Sequence, residues 1–245
     1  MKTRRNDLVA GIYIGFLVTA GGLALALSLR ETFTDEQGAR ILAWSGLAIL
    51  TLALGRLAVR LPFRQCRLSL SDVFLFASAV LFGPALATIN AAVDGYAASA
   101  RAGGTWYKRL FNTASMALSI NLSSHLFAST SPDHGLPVPG PHSVLDYLLP
   151  LALMALTQYL LNTTFVAIVL MLKEGVSFTA IWQDTTPWAG GAYLFGAVTL
   201  GVVMLLARET GPTAFLAILP MPVLLYFTCR SWFTGAVRHK GGLAH

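Results

Sequence analysis

Residues 68–119 read LSLSDVFLFASAVLFGPALATINAAVDGYAASARAGGTWYKRLFNTASMALS. Two apolar runs meet at Gly83-Pro84, each with one carboxylate, Asp72 and Asp94, and a basic aromatic turn follows at Trp106-Tyr107-Lys108-Arg109. Acidic side chains are rare and expensive inside a bilayer, whereas Trp, Tyr, Lys and Arg collect at its surfaces. An apolar helix, a Gly-Pro break, a second apolar helix with an acid, and then a positive interfacial turn read as a membrane hairpin.

The rest of the chain agrees. Of 245 residues, 55% are hydrophobic and only 11% charged, where soluble domains carry about 25%. The mean hydropathy is +0.64. No polar stretch is long enough to hold a separate soluble domain. The formal charge of +6 would suggest nucleic acid in a soluble protein. Here the positive residues sit at the ends of apolar runs, so they read as topology determinants and anionic-lipid contacts, with no nucleic-acid partner. Cys66 and Cys229 are far apart and have no metal-site spacing. The N-terminal apolar run, Leu8 to Leu29, is 22 residues long. That exceeds a signal-peptide core and suits a first membrane helix.

In chain order, a polar loop (Arg30 to Arg40) leads to a second run, Ile41 to about Val59, and an arginine-rich connector with Arg56, Arg60, Arg64 and Arg67. Leu68 to Phe82 and Gly83 to about Ala100 come next. Two readings compete here. Val73 to Val93 is uncharged over 21 residues and long enough for one kinked span, or two short helices form a hairpin. The positive-inside rule favours the hairpin. With the N-terminus inside and eight spans, 14 of the 17 basic residues are cytoplasmic, all except Arg30, Arg40 and Arg208. Further spans are expected at Leu110–Phe127, Val144–Leu172, Trp188–Ala207 and Thr213–Phe233, the last kinked at Pro220 and Pro222. Residues 129–143, with four prolines, form an outer loop, and Lys173 to Pro187 a cytoplasmic one. The expectation is an all-α polytopic bundle of about eight helices with both termini cytoplasmic. It forms a single domain over 1–234 with a short basic tail at 235–245, and has no strands.

Three polar pairs at i, i+4 spacing place two groups on one helix face: Asn90 and Asp94, Asn121 and His125, Gln158 and Asn162. With Asp72 they are the candidate ligand-binding residues, lining a polar cavity if their faces converge. The alternative for the amides is interhelical hydrogen bonding. For Asp72 it is a helix cap or ion pair near Arg67, with Ser69 or Ser71 starting the helix. For His125 it is a solvated position near the outer surface. Trp106, Tyr107, Lys108, Arg109 and Arg230 are the candidate interfacial and coupling residues. No nucleophile elbow, zinc-protease, phosphate-loop or dinucleotide motif is present, so neither enzymatic activity nor a cofactor or metal is expected. His134, His142 and Asp133 lack ligand spacing.

Three segments, LSLSDVFLFASAVLFGP (68–84), WYKRLFNTASMALS (106–119) and FLAILPMPVLLYFTCRSWF (215–233), resemble the N-terminal membrane sensory regions of bacterial cyclic di-GMP signalling proteins with GGDEF or HD-GYP output domains. The resemblance runs from Leu68 to the C-terminus and implies a multi-pass module of a bacterial inner membrane. Such a module binds a small molecule or lipid and signals to a cytoplasmic output domain or, as a homodimer, to a partner. The chain stops at His245, where an output domain would begin, as in an excised input domain or a stand-alone relative. GPALATINAAVDGY (83–96) is also similar to the substrate-binding membrane subunits of energy-coupling-factor vitamin transporters. That resemblance implies a transporter subunit as the alternative.

Overall fold

The computed structural model describes residues 2–35, 38–56, 59–60, 67–68, 71–132, 145–218, 220 and 224. Six α-helices carry the fold: α1 (Lys2–Asp35), α2 (Gly38–Leu54), α3 (Asp72–Arg101), α4 (Trp106–Thr130), α5 (Leu145–Glu174) and α6 (Phe178–Thr210). A 3-10 helix, Pro212–Ile218, follows α6 and packs back on it. Among the described residues, three helices are long and apolar enough to cross a membrane, at Asn6–Thr34, Asp72–Arg101 and Leu145–Glu174, and two shorter apolar helices cover Gly38–Leu54 and Tyr193–Ala207.

Helix α3 is not one rod. Gly83 sits at φ 84°, ψ 178°, a conformation essentially reserved for glycine, and Pro84 follows without an N–H to continue the ladder. The chain folds back there. Ser71 Oγ donates to Asp94 Oδ2 at 2.8 Å, whereas a straight helix would hold those residues about 34 Å apart. The two arms, 72–82 and 84–101, are about 16 and 27 Å long at helical rise. The hairpin reading therefore holds against the single kinked span. Helix α2 runs alongside the second arm and finishes the turn. Arg40 Nη2 donates to the Phe82 carbonyl at 2.9 Å, one of the acceptors freed where the first arm ends, and Trp44 Nε1 to the Leu86 carbonyl at 3.0 Å.

The hairpin is the centre of the bundle, packed by α1, α2, α4 and α6. Phe74, Leu75 and Phe76 are fully buried and share a core with Ile120, Met154, Leu200 and Met204. Close approach depends on small residues: Gly95 in the second arm leaves room for the Asn112 carbonyl of α4, 2.7 Å from where a Cβ would stand.

Several expected boundaries change. The Arg30–Arg40 loop shrinks, because α1 continues to Asp35 and α2 begins at Gly38. Thr32 and Thr34 tie their hydroxyls to the Ser28 and Arg30 carbonyls, so these polar residues extend the helix. Helix α2 ends at Leu54, before Val59, and a two-residue antiparallel ladder, β1 (Val59–Arg60) with β2 (Arg67–Leu68), stands where no strand was expected. The expected loop from Lys173 to Pro187 is mostly helix. Gly175 (φ 69°) ends α5, and Ser177 caps α6 by accepting from the Ala180 N–H at 3.3 Å. Phe178 then stacks on Trp182 one turn later, with ring centroids 5.4 Å apart, and Trp182 packs on Tyr159 of α5. Apart from its first turns, the run expected at Thr213–Phe233 lies largely outside the described residues, as do the tail at 235–245 and most of the outer loop expected at 129–143, whose first two residues close α4.

Candidate functional site

The fold-back places the polar residues of both arms at one end of the hairpin. Ser71 occupies the N-cap position of α3 but makes no side-chain cap. Its hydroxyl serves the other arm, holding Asp94 Oδ2. Arg101 Nη2 lies 3.6 Å from Asp94 Oδ1, an ion pair too long for a hydrogen bond. Asp72 and Asp94 are both buried and within electrostatic reach of each other and of Tyr193 on α6. Asp72 is thus part of a two-carboxylate cluster. Arg67's side chain, its expected partner, lies outside the described residues.

Asn90, one turn before Asp94, is fully buried and donates from Nδ2 to Thr51 Oγ1 of α2 at 3.1 Å. Asn162 donates to the Tyr193 hydroxyl at 2.8 Å. Gln158, fully buried, accepts from Ser123 of α4 through a long bond of 3.4 Å, while its amide nitrogen has no partner. The Gln158 side chain also lies beside the Tyr193 phenol. Asp72, Asn90, Asp94, Gln158 and Asn162 therefore converge, with Tyr193 joining the α5 amides to the hairpin carboxylates. Asn121 stands apart, bonded to Thr88 Oγ1 at 3.1 Å, toward the hairpin tip. His125 is exposed and does not join the cluster.

Sequence reasoning missed Tyr193 and Thr51 and read Ser71 only as a helix start. Each is an ordinary residue on an apolar helix or at its start, and only the packing of a second element gives it a role. Tyr193 has a further side. It packs on Phe76 of the hairpin, with ring centroids 6.2 Å apart, and on Tyr159, and it lines a groove of about 490 Å³ between α5 and α6. Leu151, Ala155, Gly190, Ala197 and Gly201 also line the groove, and its rims at Leu156, Leu194 and Val198 are exposed on the outside of the bundle.

At the end of the bundle where α4 begins, Trp106 is exposed and meets Tyr107 edge-on, with centroids 6.1 Å apart. Lys173 Nζ from the end of α5 lies 4.7 Å from the Tyr107 ring centre. A hydrogen bond with Thr105, and then the Lys173 ammonium, hold the Tyr107 phenol below its ordinary value. Arg109 donates to the Gly104 carbonyl at 2.8 Å and lies over Tyr96, while Lys108 is exposed. This group has the composition of an interfacial anchor. Arg230 lies outside the described residues.

A family model matches residues 65–229, two thirds of the chain, and covers the whole hairpin, its basic aromatic turn, and α4 to α6. The chain belongs to the MASE9 family. MASE9 is a family of membrane-associated sensor domains, which gives the protein a sensory role at a membrane. Helices α1 and α2 precede the MASE9 match and pack onto it. No curated protein and no solved structure matches the chain.

Proposed function

We propose that this MASE9 domain is a multi-pass input module of a bacterial inner membrane, with both termini cytoplasmic. It senses a lipid or an apolar small molecule taken into the α5–α6 groove. The observation that carries the reading is Tyr193, which lines the groove, packs on Phe76, and bonds through Asn162 beside the buried carboxylates. A ligand in the groove presses on this ring and so biases the packing of α6 against the hairpin. Binding shifts the bundle only if the ligand prefers one arrangement. The chain after α6 passes that bias to a cytoplasmic output domain or partner, of cyclic di-GMP type by the resemblance, and the module itself performs no chemistry.

The test is native mass spectrometry of protein gently extracted from its own membrane, beside an Ala152→Trp variant that fills the groove. The expected result is a retained apolar molecule on the wild type and a loss of at least about tenfold in occupancy on the variant, on the order of 1.4 kcal/mol. A wild type carrying only bulk lipid, or equal occupancy in both, would sink the groove reading.

A further inference from the structure

The base of the α3 hairpin holds more negative than positive charge. Asp94 is 3% exposed and Asp72 8%. Their one cationic neighbour among the described residues is Arg101, an exposed residue whose guanidinium stands off at 3.6 Å. Tyr193 from α6 also faces the pair. Helices α1, α2 and α4 contribute no charged partner among the described residues, and α4's Arg109 is turned to Tyr96 and Gly104.

Two buried oxygens at this base lack hydrogen bonds, Asp94 Oδ1 and Asn90 Oδ1. They lie one turn apart on the same helix, whose Asn90 amide nitrogen reaches Thr51 of α2 and whose Asp94 Oδ1 faces Gly55 one turn further on. Gly55 lets α2 come this close. A Cβ there would stand 3.0 Å from Asp94 Oδ1 and 2.9 Å from Arg101 Nη2. An orphaned buried acceptor is costly when nothing donates to it. A neutral water would satisfy the oxygens and leave the second carboxylate's charge uncompensated in a buried place.

We propose that the base of the hairpin is a binding site for one positive charge, a proton or a small monovalent metal ion, held by Asp72, Asp94 and the Asn90 carbonyl. Loading the site removes the repulsion between the two arms and closes them on the Ser71–Asp94 bond. Emptying it loosens the base against α2 and α6. The site stands apart from the α5–α6 groove, and its test needs no apolar ligand.

The experiment is thermal unfolding of the whole chain in lipid nanodiscs. One series varies pH in choline chloride. A second holds pH and ionic strength while Na⁺ or K⁺ replaces choline. A folded state that keeps a proton the unfolded chain has released loses stability as pH rises, so a proton site lowers the melting temperature by roughly 3–5 °C per pH unit across its titration. A metal-ion site instead gives a saturable rise with Na⁺ or K⁺ at fixed pH. Asp72→Asn and Asp94→Asn should each abolish whichever dependence is seen. Flat curves in both series, as for a buried water only, overturn the proposal, as does a dependence that survives in both variants. Should the variants fail to fold, infrared spectra of the wild type decide. A titrating carboxylic acid band, or carboxylate bands that move with the metal ion, supports the site, and neither overturns it.

Discussion

Helix α1 and the α3 hairpin have nearly the same hydropathy, 2.1 and 1.8 over their most apolar windows, yet 17% of the first window is buried and 72% of the second. Hydropathy therefore reports the solvent and not the position in the bundle. In lipid, a large apolar side chain gains little by leaving the acyl tails, so small and polar residues mark the inside. The buried stripe of α1 shows it: Ala10, Leu17, Gly21, Ala24, Ser28 and Thr32 turn inward, while Leu8, Ile12, Phe16, Leu23 and Leu27 stay exposed. The second arm of α3 buries Ala85, Ala87, Thr88, Asn90, Ala91, Ala92, Asp94 and Gly95.

The contrast is testable by unfolding in detergent or nanodiscs. The largest difference is expected between two phenylalanines. Phe76→Ala empties a fully buried site and should cost about 2 kcal/mol, the cavity part of the usual loss. Phe16→Ala changes a lipid-facing residue that is 68% exposed and should stay within about 0.5 kcal/mol. Equal losses would break the division between shell and core.

A similar or smaller effect is expected at the hairpin tip. Gly83→Val forces a β-branched residue to φ 84° and should cost about 1–3 kcal/mol. Gly15→Val, where a Cβ meets nothing within 4 Å, has no steric reason to destabilise. A neutral Gly83→Val would show that the reversal does not depend on that glycine. The smallest effect separates two residues one turn apart on α4. Asn121→Ala removes the bond to Thr88 and should cost about 0.6 kcal/mol, while His125→Ala, at an exposed position, should be silent. A larger loss at His125 would reverse the placement of the polar core.

The hairpin was legible because its signals are local: a Gly-Pro break, two apolar runs, and basic residues on the same side of both. Asn90 and Asp94 were legible as one face because helical spacing fixes it. Their partners were not. Ser71 reads as a helix cap until the fold-back carries Asp94 to it, and Thr51 and Tyr193 gain meaning only from the helix opposite. His125 has the same spacing to Asn121 that Asn90 has to Asp94, yet it points outward, because spacing gives a face and not its direction. The start of α6 was misread because its polar residues look like a loop, whereas Phe178 stacks on Trp182 across the first turn and Tyr159 of α5 packs on that tryptophan.

Because the chain reverses at Gly83, α3 ends on the side of the bundle where it began, with Arg101 beside Gly55 at the exit of α2. The element thus returns the chain to the end of the bundle from which it set out. Every helix after it keeps the orientation it would have if α2 led straight into α4. Parity of this kind makes the hairpin a topologically silent insert: it can lengthen, shorten or diverge in sequence without inverting α4, α5 or α6 relative to α2.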